Sequence, residues 1–118
     1  MKPNNEWLND WSVGVNPKME RQLSRDLLKI FVEFWKNQHL DEKSKTTKNR
    51  YSNALHALGG YLVEQSTYIE NMDITAHEIL FEHIDPDGGP LIYHDNEDWQ
   101  KEIDMVCRKL YKHLKKNR

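Results

Sequence analysis

The segment 44–62, SKTTKNRYSNALHALGGYL, constrains the fold more than any other part of the chain. Its largely apolar positions recur at intervals of three and four residues, which is the spacing of one helix face. On a helical wheel they fill an arc of about 120°, and they are Thr47, Tyr51, Ala54, Leu55, Leu58, Tyr61 and Leu62. The opposite arc carries Lys45, Asn49, Ser52, Asn53 and His56. The segment therefore predicts a helix with one buried face, capped by Ser44 or Thr46.

Gly59 and Gly60 lie on the polar side of this predicted helix. Each glycine inside a helix costs about 1 kcal/mol relative to alanine. Two in succession indicate that another backbone, or a phosphate backbone, approaches closely, and the pair is a candidate partner interface. A kink, or a crossing with a neighbouring helix of the same chain, is the alternative interpretation.

A wide apolar stripe predicts another long helix, which begins at Asn16-Pro17 and ends near Gln38–Leu40. Asparagine accepts hydrogen bonds from the first turn, and proline fits the first helical position because its missing N–H is not needed there. The stripe comprises Met19, Leu23, Leu27, Ile30, Phe31, Phe34 and Trp35. A stripe this wide has to contact two neighbours, so we expect this helix to be central.

Two more helices are predicted in the second half of the chain. Thr75 and Glu78 match a capping box for a short helix over residues 76–83 that buries Ile79 and Leu80. The last helix begins after Asp95 or Asn96, both of which are favourable caps. Its apolar stripe comprises Trp99, Ile103, Val106, Cys107, Leu110, Tyr111 and Leu114.

Together these elements predict an all-α protein, a compact bundle of four to five helices in a single helical domain over residues 17–118. Residues 1–16 precede it as an irregular N-terminal arm or short helix, in which Trp7 and Trp11 are expected to pack onto the body. A partner surface formed by the two tryptophans is the alternative. The DPDGGP loop at residues 85–90 separates the last two helices, since its prolines and glycines interrupt helical structure.

Charge is segregated along the chain, although the net charge is only −2. Residues 43–63 contain four cations and no acid, residues 64–104 contain twelve acids and one lysine, and residues 105–118 contain six cations and no acid. A local basic patch of this kind is sufficient to contact phosphates. Helix-end preference and solvation are the alternative explanation. The candidate nucleic-acid-binding residues are Lys45, Thr47, Lys48, Asn49, Arg50, Ser52, Arg108, Lys112, Lys115 and Lys116.

No catalytic or metal-binding pattern emerges from the sequence, so we expect no enzymatic activity, cofactor or small-molecule substrate. The six histidines lack the spacing of zinc ligands, and HExxH does not occur. Cys107 lies on an apolar stripe, where burial should raise the pKa of its thiol and make it inert. No apolar run approaches the roughly 20 residues of a membrane span. The single cysteine and the lack of a leader at residues 1–6 favour a cytoplasmic location.

The order of these elements resembles the helical core-binding domain of tyrosine recombinases and phage integrases, the SAM-like N-terminal domain. The matching features are Phe34-Trp35 at the end of the first helix, the Ser-x-x-Thr-x-x-x-Tyr start at residues 44–51, Leu55–Leu58, the short helix at 74–84, and the aromatic-basic segment 107–114. The resemblance covers about residues 20–115. It implies half of a clamp on duplex DNA, with contacts from Lys45, Thr47, Lys48, Arg50 and Tyr51. The LGGYL and DGGPLIYH segments are also similar to small bacterial proteins that carry no assigned function.

Two functions are predicted on this basis. The first is a non-catalytic DNA-binding or DNA-associated module whose partner is double-stranded DNA. The second is a protein-interaction module with no nucleic-acid role, for which a homodimer is one form. In that case the Gly59-Gly60 face or the tryptophan arm would contact the partner.

Overall fold

All regular structure in the described part of the chain is helical. The computed structural model describes residues 2–69 and 73–116. Its five α-helices are α1 (Trp7–Asp10), α2 (Pro17–Asn37), α3 (Lys45–Ser66), α4 (Ala76–His83) and α5 (Glu97–Lys116), and a short 3-10 helix (Leu40–Glu42) joins α2 to α3. The prediction of a compact all-α bundle with four to five helices is confirmed, while the integrase-like arrangement of those helices stays a prediction.

Four of the helices begin at the predicted capping residues. Asn16, Ser44 and Asn96 each accept a hydrogen bond from the backbone N–H three residues on, at 3.4, 3.2 and 3.1 Å. Thr75 and Glu78 form the reciprocal capping box, in which each side chain bonds the other residue's N–H. Of the two alternatives offered at each of these helix starts, Ser44 rather than Thr46 caps α3, and Asn96 rather than Asp95 caps α5.

The core lies where α2, α3 and α5 meet. Helix α3 packs against both α2 and α5, α1 rests on α2, and α4 bridges α2 and α3. Leu55, Leu58 and Leu110 are buried as predicted. Truncating any one of them to alanine should cost about 2–5 kcal/mol of unfolding free energy.

The N-terminal residues belong to the same core as the helices that follow. Trp7 and Trp11 are both buried, which confirms that they pack onto the body. The Trp11 indole donates to the carbonyl of His56 in α3 at 2.9 Å and meets Phe31 edge-on. His56 also pairs with Asp10 at 2.9 Å, so α1 covers a side of α3 that the sequence assigned to solvent.

Trp99 departs from the prediction, because it is 56% exposed rather than buried with the rest of its stripe. The first turn of α5 rests on the loop that precedes it, and an open cleft separates Trp99 from α3. The Gln100 side chain holds that loop by accepting from the N–H groups of Ile92 and Tyr93 at 2.9 and 3.0 Å and donating to the Pro90 carbonyl. The Trp99 ring therefore meets only the edge of Tyr93 on this side, at 5.2 Å between centroids.

The DPDGGP loop forms a tight turn that packs on α5. The Asp85 carboxylate accepts from the N–H groups of Asp87 and Gly88 at 2.8 and 3.0 Å. The next N–H, from Gly89, donates to Asp104 in α5 at 3.1 Å. A side chain at Gly89 would overlap Cys107, so a glycine is required for this approach. Residues 91–93 form no strand.

Candidate nucleic-acid interface

The first turn of α3 carries two of the predicted cations. Lys45 is exposed and Lys48 is half-buried. Cations oppose the helix dipole at an N-terminus, so they need some compensation. Asp41, in the 3-10 helix, supplies part of it. A hydrogen bond from the Trp35 indole, with Lys2 and Lys48 nearby, holds the pKa of the Asp41 carboxyl below its usual value.

The last two turns of α5 carry a second group of cations. A depression of about 380 Å³ separates them from the end of α2, and it is lined by Asn37, Gln38, Lys109, Lys112, His113 and Lys116. Lys112 and Lys116 were predicted as phosphate contacts, whereas Lys109 was missed. Lys109 stands three and seven residues before these two, so grouping the cations by helix face would have found it.

His113 forms the wall of this depression. Its Nδ1 lies 3.1 Å from the Asn37 amide nitrogen, and its ring meets Phe34 edge-on. Burial lowers the pKa of His113 below its usual value, although Glu33 acts in the opposite direction. The histidine is therefore predominantly neutral at pH 7, and the positive charge here comes from the lysines.

The two cation groups lie at the same end of the bundle. Helices α3 and α5 run antiparallel, since Ala57 shares a cleft with Trp99 while Tyr51 lies under Lys109. The Lys109 ammonium stands 5.8 Å from the centre of the Tyr51 ring. Tyr51 is one turn from Lys48 along α3. We call the set Lys45, Lys48, Lys109, Lys112 and Lys116 the basic end.

Three predicted contacts point away from the basic end. Arg50 pairs with Glu102 at 3.4 Å, and Arg108 donates to the Asp87 carbonyl in the DPDGGP loop at 3.2 Å. Lys115 lies over the Phe81 and Tyr111 rings on the side of α4. Arg108 is about 100° around the helix from Lys109, because consecutive residues are separated by that angle. The cations of α5 are thus divided between two sides.

The polar groups predicted on α3 are also used within the chain. Ser52 is only 5% exposed, so its prediction as a phosphate contact is wrong; α1 covers this side of α3. Tyr51 is buried beneath Lys109. Thr47 takes part in the helix cap, since its hydroxyl and its N–H both bond Ser44. Asn49 is exposed and borders a groove between α3 and α1.

The Gly59-Gly60 pair is covered by the chain's own Trp11. A Cβ atom at Gly59 would overlap the Trp11 indole, and one at Gly60 would lie 3.3 Å from Trp11 Cδ1. This corrects the interpretation of the pair as a partner interface. The sequence predicted that another group comes close to the glycine pair. That group is the Trp11 ring and not a backbone, and Trp11 is itself 2% exposed.

A second row of cations runs along α2. Arg21, Arg25 and Lys29 recur every fourth residue and border a groove beside α1 that also contains Leu8 and Leu28. The sequence placed these three on the solvated half of α2. They form a smaller basic surface that any binding experiment has to compare with the basic end.

Other chemistries find little support among residues 2–69 and 73–116. No group of three or more metal-binding side chains occurs there, and none of the helices in these ranges has the length and apolar character to cross a bilayer. Burial, reinforced by Asp104, raises the pKa of the Cys107 thiol to about 12, as expected for an inert cysteine.

No protein-family model, curated protein or solved structure matches this chain. The resemblance to integrase core-binding domains, and to small bacterial proteins, therefore rests on the quoted sequence motifs alone.

Proposed function

We propose that this protein is a non-catalytic DNA-binding module and that its basic end contacts the phosphate backbone of duplex DNA. The observation that carries the proposal is the Lys109 ammonium over the Tyr51 ring, because it brings the end of α5 that holds Lys112 and Lys116 to the end of α3 that holds Lys45 and Lys48. These segments are about 60 residues apart in the sequence. Lysine contacts of this kind position a protein on a duplex without reading base sequence.

The charge around the basic end favours a polyanion. None of the described carboxylates is in an ion pair with Lys45, Lys109, Lys112 or Lys116. Two acids lie near this surface. Asp41 is already engaged by Lys2 and the Trp35 indole, and Glu33 acts on His113. Phosphates would supply the missing counter-charge and release condensed ions from the DNA, which drives association at low salt.

The test is a fluorescence-anisotropy titration of the full chain with a labelled DNA duplex over a series of salt concentrations. Five phosphate contacts predict a log–log slope of about −4.5. Lys109→Glu with Lys112→Glu should abolish binding at about 50 mM salt, and Lys45→Glu with Lys48→Glu should do the same.

A matched control is Lys18→Glu with Lys101→Glu, because it changes the net charge equally at exposed positions outside the basic end. It should retain binding with an unchanged salt slope. Absence of binding by the wild type at low salt would end the proposal. If Arg21→Glu with Arg25→Glu abolished binding and the basic-end variants did not, the DNA-binding site would lie on α2 instead.

A protein-interaction role is the second candidate, and one specific observation favours it. Trp99 is a large aromatic residue that is more than half exposed, and exposed tryptophans are enriched where proteins bind partners. This surface is distinct from the basic end and from the glycine pair.

A further inference from the structure

Trp99 forms the rim of a cleft between α3 and the start of α5. The cleft has a volume of about 250 Å³ and is lined by Asn53, Ala54, His56, Ala57, Tyr93, Trp99, Glu102 and Ile103. Sites for whole small molecules usually measure roughly 300–1,000 Å³. This cleft therefore suits one side chain better than a cofactor or a substrate.

Its aromatic wall is held in place. The Gln100 oxygen accepts from the N–H groups of Ile92 and Tyr93, while its amide nitrogen bonds the Pro90 carbonyl and Asp104. Tyr93 is thereby fixed at 5.2 Å from Trp99 in an edge-to-face arrangement. More than half of Trp99 remains exposed to solvent, and an exposed ring held in position can bind a partner without reorganisation.

The segment that carries Trp99 is acidic. Residues 94–104 contain five carboxylates and a single cation, Lys101. Glu102 lies inside the cleft and is one-third exposed. The cation that it meets within the chain is the Arg50 guanidinium, through a single Nε–Oε1 contact at 3.4 Å. That contact shows which chemistry the carboxylate accepts, and it leaves the second oxygen for another donor.

We propose that this cleft binds an arginine side chain from a partner protein. The guanidinium would stack on the Trp99 ring and donate to Glu102, since a planar cation can satisfy an aromatic face and a carboxylate at once. Lysine fits less well because its compact ammonium does not stack. The proposal is independent of DNA binding, because the cleft lies about 15 Å along α5 from the basic end.

The experiment is an NMR titration of the full, ¹⁵N-labelled chain with an end-blocked pentapeptide that contains one arginine between glycines. The Trp99 indole N–H signal should shift. The indole N–H groups of Trp11 and Trp35 are internal references, because they donate within the fold to His56 and Asp41. The same peptide with citrulline, which is isosteric and neutral, should bind about tenfold more weakly, as loss of one cation–π and one exposed carboxylate contact implies.

Three variants separate the contributions. Trp99→Ala should abolish binding, as reported by backbone amide shifts at Ala57 and Glu102. Glu102→Gln should weaken binding of the arginine peptide and leave binding of the citrulline peptide unchanged. Arg50→Gln should strengthen binding of the arginine peptide about threefold, because it removes the internal competitor for Glu102. Unchanged Trp11 and Trp35 signals in each variant show that the fold is intact.

Equal binding of the arginine and citrulline peptides would overturn the proposal, as would the absence of any Trp99 shift. A Trp99 signal that moves with protein concentration alone would also overturn it, because a second copy of the chain would then occupy the cleft. Weaker binding after Arg50→Gln would show that Glu102 does not contact the ligand.

Discussion

Among conservative substitutions of the polar residues in α2, Glu20→Gln should destabilise the fold most. Glu20 is only 1% exposed, and its carboxylate accepts hydrogen bonds from the backbone of the loop before α2. One oxygen accepts from the N–H groups of Val13 and Gly14 at 2.6 and 3.0 Å. The other accepts from Val15 and Asn16 at 2.8 and 2.7 Å.

The magnitude follows from these four hydrogen bonds. Glutamine keeps one carbonyl oxygen, so two of the four N–H groups would face an amide nitrogen that cannot accept. Each orphaned donor costs about 1–3 kcal/mol. The loop is partly open to water, so the lower part of that range applies and the total is about 2–4 kcal/mol. At about 4 °C per kcal/mol for a domain of this size, the melting temperature should fall by about 8–16 °C.

The assay is urea unfolding followed by circular dichroism, with Glu82→Gln as the matched control. Glu82 is an exposed glutamate on α4, so the same chemical change there should alter the unfolding free energy by less than about 0.5 kcal/mol. Similar small losses in both variants would refute the reasoning, since Glu20 would then not organise the loop.

The difference between wild type and Glu20→Gln should also depend on pH. Burial by itself raises the pKa of the Glu20 carboxyl, but the four N–H donors together bring it below its usual value. Between the lowered folded pKa and the unfolded pKa of about 4.3, the unfolded chain binds more protons. The stabilisation is therefore complete above the unfolded pKa and is lost as pH falls through the folded value. The unfolding free energies of the two proteins should converge in acid.

Other substitutions test the packing and the titrating groups. Gly59→Ala should lose about 1–3 kcal/mol in urea unfolding because its methyl group overlaps Trp11, whereas Gly60→Ala should remain within about 1 kcal/mol of the wild type; equal losses would contradict the position of the indole. Cys107 should react with a thiol reagent at pH 8 much more slowly in the native than in the unfolded protein because burial raises the pKa of its thiol, and a fast native reaction would mean that the thiol is not buried. Because the folded pKa of His113 is lowered, stability should decline as pH falls below about 6.5, and His113→Gln should remove that part of the pH dependence.

The helix boundaries could be predicted because the signals that set them are local. The cap at Asn16 and the box formed by Thr75 and Glu78 act within four residues of the chain. Apolar periodicity likewise identified the buried faces of α2, α3 and most of α5. Such patterns fix the angle of a side chain on its own helix, and they do not reveal which other element faces it.

The errors concern contacts with other elements or with irregular loops. Ser52 was placed on a solvated face because no residue pattern in α3 indicates that α1, more than 40 residues earlier in the chain, covers it. Trp99 follows the periodicity of α5, but an open cleft lies between its ring and α3. The role of Glu20 was not predicted, since its four donors come from an irregular loop with no sequence signature.

The same limit applies to the placement of the predicted cations, and the nucleic-acid interface itself stays a prediction. Lys112 and Lys116 remain on the predicted surface, while Arg50 and Arg108 point to acceptors in other elements. A cation on a helix is directed by whichever oxygen tertiary contacts bring near it. Charge counts along the chain cannot show this, because they carry no information about distance.

Several carboxylates of the acidic segment 64–104 are engaged away from the basic end. Glu78 bonds the N-cap of α4, while Asp85 and Asp104 bond N–H groups of the DPDGGP loop. These carboxylates act at the helix start and in the turn where their acceptor oxygens are needed. Among the described carboxylates of this segment, only Glu102 pairs with a cation of α3, and that cation is Arg50, outside the basic end. These four carboxylates are therefore engaged by groups other than the five lysines of the basic end.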